Sequence, residues 1–209
     1  MKTDDLIRIL AEDSVAEAAP ARRLWPLFLP AVAVSLAAVL LTLGPRPDLA
    51  GALTSFLPAM RHVLSLALFA LALAAALRLT RPEGRAALWP LALVAAAALG
   101  LAAWAWATTP PEARGMALMG KSSDVCLFAI PVLSALPTAA LFAALRTGAT
   151  TAPRLAGALI GLAGGGAGAA VYALHCTEVS PLFYVTWYGL AILIVTAVST
   201  LLGPRILRW

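Results

Sequence analysis

The sequence predicts an all-helical membrane protein: a bundle of six transmembrane helices preceded by a short amphipathic segment. Three observations carry this. Of 209 residues, 62% are hydrophobic and only 12% are charged, against roughly 25% charged in an ordinary soluble domain. The apolar residues gather into six runs, each long enough to cross a hydrocarbon core of roughly 30 Å as a helix of about 20 residues. Joints rich in proline, glycine and charge separate the runs. A soluble fold of this size has no means of hiding so much apolar surface, whereas lipid needs no polar shell.

Residues 1–23 form the one sizeable polar segment, and residues 24–209 the transmembrane domain. The spans fall at residues 24–43, 56–79, 86–107, 127–145, 155–174 and 182–202. Five carry no charge. The second holds Arg61 and His62, so its clean core is 63–77, and Arg61 is expected to snorkel to the interface. The joints are 44–48, 81–85, 109–112 and 146–154. Five acids precede the first run, which is also too long for a signal peptide, so it reads as an uncleaved anchor.

Lysine and arginine set the orientation. Lys2, Arg8, Arg22, Arg23, Arg78, Arg81, Arg85, Arg146, Arg154, Arg205 and Arg208 fall on one side, and Arg46, Arg61, Arg114 and Lys121 on the other. The positive-inside rule then puts both termini in the cytoplasm. In a bacterium, this places Cys126 and Cys176 on the periplasmic face of an inner membrane, where disulfides persist. Trp25 and Trp89 near one face, and Trp104 and Trp106 near the other, fit interfacial belts. The net charge of +5 does not point to nucleic acid, because the basic residues are scattered between apolar runs and read as topology signals.

Four features invite a chemical reading. Residues 115–122 satisfy GxxxxGK[ST], the nucleotide-binding loop, but that loop needs a strand before it, a helix after it and an acid for magnesium. Here it is a short linker between spans, on the face without ATP, so no nucleotide site is expected. In the fifth span, Gly157/Gly161 and Gly164/Gly168 are GxxxG pairs, which let helices approach backbone to backbone. Packing within one bundle is favoured over a homodimer or a substrate cleft. Cys126 opens the fourth span and Cys176 closes the fifth on the same face, so the two could approach to a disulfide's Cα separation of about 5.5 Å. With His175, they are also soft-metal ligands; inert buried thiols are the plain alternative. No cofactor is implied.

In the tail, Leu6, Ile9 and Leu10 share one helical face with Ile7 beside it, and Asp4 and Asp5 suit a first helical turn. So short a helix is marginal alone in water and suits a partner's groove. Four acids against two bases in residues 1–13 weaken the rival reading, adsorption on anionic lipid.

The opening M-K-T-D-D-L-I-R-I-L-A, six spans, G-K-S-S-D-V-C at 120–126 and L-H-C-T-E at 174–178 followed by Trp187-Tyr188 resemble the NrsF-type membrane anti-sigma factors of proteobacteria. The resemblance covers essentially the whole chain. It implies a regulator that holds an extracytoplasmic-function sigma factor inactive at the inner membrane and releases it under stress, not an enzyme. It implies that the family's paired cysteines fall on Cys126 and Cys176, and that the tail, with Asp5, Leu6, Ile7, Ile9 and Leu10, contacts the sigma factor. A small transporter or a thiol-redox membrane protein is the alternative. The first would usually carry ionisable residues in mid-membrane, and the second a close cysteine pair.

Overall fold

The computed structural model describes Thr3, Asp5 and residues 20–207. The tail residues Leu6, Ile7, Ile9 and Leu10, expected to form the partner-binding face, lie outside the described residues. The described residues form helices and no strands: α1 (Pro20–Ala38), continued by a π-helical turn (Val39–Leu43), α2 (Leu49–Thr54), α3 (Phe56–Arg78), α4 (Trp89–Thr108), α5 (Pro111–Met119), α6 (Ser123–Leu145), α7 (Pro153–Tyr172) and α8 (Pro181–Ile206).

Six segments are long and apolar enough to cross a membrane: Arg22–Leu43, Phe56–Arg78, Trp89–Thr108, Pro111–Leu145, Pro153–Tyr172 and Pro181–Ile206. They match the six apolar runs within a few residues, except that the fourth takes in the connection before it. There, α5 occupies what reads in sequence as a loop. Proline at its first position suits a helix start, and Arg114 fastens it. The guanidinium lies 4.8 Å from the Trp106 ring and donates through Nε to the carbonyls of Trp106 and Thr109. Trp25, Trp89, Trp104 and Trp106 all stand about half exposed or more.

The chain alternates between two ends. At the tail end, the 79–88 and 146–152 connections meet, with Ala149 N–H donating to the Thr80 carbonyl at 2.9 Å. There Leu24, Leu79, Leu145, Ala156 and Leu207 belong to one buried cluster. At the opposite end, the 173–180 connection touches the other two. Arg46 N–H donates to the Leu174 carbonyl at 3.0 Å, and Lys121 N–H to a Glu178 carboxylate oxygen at 2.7 Å.

Helix α7 is the axis of the bundle. A side-chain carbon placed at its glycines would strike three different neighbours. At Gly157 it would meet Ser199 and Gly203 of α8, and at Gly161 the Thr196 Cα of α8 at 2.6 Å. At Gly164 and Gly168 it would meet Thr138 and Ser134 of α6, and at Gly166 the backbone of Ser65 and Phe69 in α3 at 2.8–2.9 Å. The two GxxxG pairs therefore serve two interfaces within one chain.

A proline in α6 is answered by a serine in α1. Pro137 has no N–H for the Leu133 carbonyl four residues back. Ser35 Oγ, buried on α1, donates to that carbonyl at 2.8 Å. A buried carbonyl left without a donor would cost about 1–3 kcal/mol, so this bond also ties α1 to α6.

Arg61 departs from expectation. It does not snorkel to the interface: it is 1% exposed, inside the bundle, with Nη1 donating to the Glu178 carbonyl at 2.7 Å. A charge one turn into a span looks from sequence as though it should reach outward. Here the neighbouring loop carbonyl draws it inward.

Candidate functional site

The site lies at the end where 173–180 meets the other two connections. Helix α7 ends at Tyr172, and one further turn follows, with Cys176 N–H donating to the Tyr172 carbonyl at 3.2 Å. That turn carries Cys176 to the first turn of α6, where Cys126 sits. Both cysteines are free and buried, and they belong to one buried cluster.

Two tyrosines enclose them. Cys126 S–H donates to the Tyr172 hydroxyl at 3.3 Å, and Ser122 Oγ lies 4.0 Å from the same sulfur. The Tyr188 hydroxyl is buried beside Cys176 without a well-formed hydrogen bond, and its ring centroid is 5.8 Å from that of Tyr172. The neighbouring Cys126 thiol, helped by Tyr188, the backbone at Glu178 and the Arg61 charge, outweighs burial and holds the Cys176 thiol below the usual range.

The loop bearing Cys176 is held from outside. Arg46, 4% exposed, donates through Nη1 to the Cys176 carbonyl at 3.1 Å. Its Nε and Nη2 grip both carboxylate oxygens of Asp48 at 2.7 Å each, a bidentate pair. The guanidinium keeps the Asp48 carboxyl below its ordinary range. The His175 Nδ1 lies 2.9 Å from the Gly44 carbonyl. Only a protonated Nδ1 can donate to a carbonyl, which fixes the tautomer. Among the described residues, no three of His, Cys, Asp and Glu gather closely enough to hold a metal ion.

The structure thus brings Cys126 and Cys176 together and turns His175 to a backbone carbonyl. Sequence reading missed Tyr172, Tyr188, Arg46 and Arg61 around them. One signal was available: Tyr172 precedes Cys176 by four residues, one helical turn. The arginines gave no such signal, since their contacts cross more than 100 residues of chain.

A family model described as "Negative regulator of sigma F" (NrsF) matches residues 10–209. The chain belongs to the NrsF family. Two relatives are alike along their full length. The "Probable anti-sigma-F factor NrsF" of Azospira oryzae is 37% identical over 216 residues, and the "Anti-sigma-F factor NrsF" of Caulobacter vibrioides is 37% identical over 218. Each alignment covers 100% of both chains. No solved structure matches. The family's description is a regulatory one, a negative regulator of sigma F.

The nucleotide-loop pattern has another use in this NrsF chain. Gly115 to Met119 are helical and belong to α5. Gly120 ends that helix with φ 59° and ψ −161°, a conformation only glycine adopts readily. It packs so closely on Phe183 and Glu178 that a side-chain carbon there would lie 2.9 Å from Glu178 Cδ. Lys121 contributes its backbone N–H, not its side chain, to Glu178.

Proposed function

We propose that this chain is a membrane-anchored anti-sigma factor of a bacterial inner membrane, with both termini in the cytoplasm. Its segment 1–23 holds an extracytoplasmic-function sigma factor through Asp5, Leu6, Ile7, Ile9 and Leu10. Its periplasmic cysteine pair, Cys126 and Cys176 with His175 bracing the loop, senses thiol-reactive stress. Family membership along the full chain supports the sigma-factor half. One observation carries the sensing half: two buried free thiols in one cluster at the point where three connections meet.

The chemistry suited to that pair is oxidation. Two thiols give up two electrons and two protons to an oxidant, and a sulfur–sulfur bond of about 2 Å joins them. Closing it draws the 173–180 loop toward α6. Arg46, Arg61 and Gly44 grip that loop, so it moves as one piece. The displacement passes into α7 and α8, which pack backbone to backbone with no flexible layer between them. Both helices run to the tail end, where the first helix and the sigma-binding segment begin.

Two substitution sets test the halves separately, in full-length protein at normal membrane level. Leu6→Asp with Leu10→Asp should weaken sigma-factor capture by roughly two to four powers of ten, because each buried leucine contributes roughly 1.5–3 kcal/mol. If that variant still silences its sigma factor, the tail is not the binding element. Cys126→Ser, Cys176→Ser and the double variant should share one response to the oxidant diamide, since a two-residue switch fails when either half is lost. Normal induction in the double variant would remove the cysteines from sensing.

A further inference from the structure

A groove of about 560 Å³ opens between α3, α4 and α8, with Leu162 of α7 contributing to its wall. It exists because α4 stands off the bundle. Ala105 is its one buried residue, and its middle is Ala95-Ala96-Ala97-Ala98, too small to reach the neighbouring helices. The lining is apolar over most of its length, through Leu68, Ala98 and Leu193. The polar exceptions include Arg61, Tyr184 and Tyr188, all near the cysteine end. This is the proportion of a ligand pocket: a mostly apolar channel of a few hundred Å³ with a few polar groups that fix orientation.

Arg61 is the unusual element. Its Nη1 serves the Glu178 carbonyl, while its Nε and Nη2 are buried with no hydrogen-bond partner among the described residues. Those two nitrogens form one edge of the guanidinium, the fork that takes both oxygens of a carboxylate or phosphate. Arg46 shows the same edge in use, with Nε and Nη2 on the two oxygens of Asp48 at 2.7 Å. A buried cationic fork with no acceptor on two of its nitrogens is costly, and Arg61 lines the groove.

We propose that the groove binds an anionic amphiphile lying along the bundle, its acidic headgroup gripped by the Nε/Nη2 edge of Arg61 and its acyl chain running past Leu68 and Ala98 toward the middle of the bilayer. From Arg61 to Leu68 is seven residues, about 10 Å of helix, so an extended single chain fits the direction and depth. The headgroup chemistry is a carboxylate or phosphate, and the source is a fatty acid or an anionic phospholipid. The groove shares Arg61 and Tyr188 with the surroundings of Cys176, but neither cysteine lines it.

Equilibrium binding to the purified full-length protein in phosphatidylcholine nanodiscs tests this, with labelled oleate and labelled oleyl alcohol as probes. The two share a chain and differ in the charged head. Oleate should bind at least about ten-fold more tightly, as expected for hydrogen bonds to a charged group in a buried site. Arg61→Gln should bring oleate down to the alcohol's affinity and leave the alcohol unchanged. Arg61 also holds Glu178, so a second variant guards against misfolding: Ala98→Phe, on the outlying α4, should block the groove and weaken both probes. Competition by phosphatidylglycerol but not by further phosphatidylcholine would identify a diacyl lipid as an occupant, and its failure a single-chain acid; either supports the site. Equal binding of oleate and alcohol, oleate binding untouched by Arg61→Gln, or displacement of oleate as readily by acetate as by unlabelled oleate would each overturn it.

Discussion

Gly120 shows what single residues decide in this chain. It closes α5 at a backbone geometry that side chains resist, against the Phe183 ring, and it sets Lys121 N–H on the Glu178 carboxylate. A nucleotide loop would depend instead on the lysine's charge. The two readings separate cleanly. Gly120→Ala should destabilise the protein by about 1–3 kcal/mol, the usual cost of a side chain held in such a conformation. Lys121→Ala should leave both the melting temperature in detergent and the repression of a sigma-dependent reporter unchanged. Loss of function on Lys121→Ala with stability intact would return the loop to chemistry. Residue-level signals were legible in sequence where the pattern is local, as with the glycines and the cysteine contexts. They were illegible where a partner comes from a distant span. Nothing near Arg61 in the sequence indicates that a carbonyl 117 residues away holds it inside.

At the scale of the element, α7 carries the packing. Replacing an exposed helical glycine by alanine normally stabilises a helix, by up to about 1 kcal/mol. At Gly157 and Gly161 the sign reverses, because the new carbon would meet the backbone of α8, and overpacking costs about 1–3 kcal/mol. Gly100 in α4 has nothing within 4 Å and supplies the opposite case. Thermal unfolding in detergent should therefore rank Gly161→Ala below the parent and Gly100→Ala at or above it. Equal effects would mean that α7 and α8 do not meet as described. The six long helices were readable from apolar runs because the hydrocarbon core imposes their length. Helices α2 and α5 were not, being six and nine residues long, well under what hydropathy detects, and fixed by contacts such as Arg114 on Trp106. The π-helical turn at Val39–Leu43 gave no sequence signal at all.

For the whole molecule, the alternation of ends follows from chain tracing, whereas its direction across the membrane rests on charge. Eleven lysines and arginines belong to the tail end and its connections, against four at the other, and such a bias orients a chain. Reporter fusions after Arg81 and Thr150 should score as cytoplasmic, and those after Pro47, Glu112 and Pro181 as periplasmic. A cytoplasmic score at Glu112 would place the thiols in a reducing compartment and end the proposal that they sense envelope stress.

The glycines of α7 have a consequence for how the protein is made. Of the six spans, this one is the least apolar and by far the most enclosed by its neighbours. Glycine offers lipid little to dissolve, so a nascent chain that has released only residues 153–172 holds a weak candidate for leaving the translocon sideways. The next span, rich in Leu, Ile and Val, supplies both the missing affinity for lipid and the surface on which α7 settles. The two are therefore expected to enter the bilayer as a hairpin, α7 settling only once α8 has followed it.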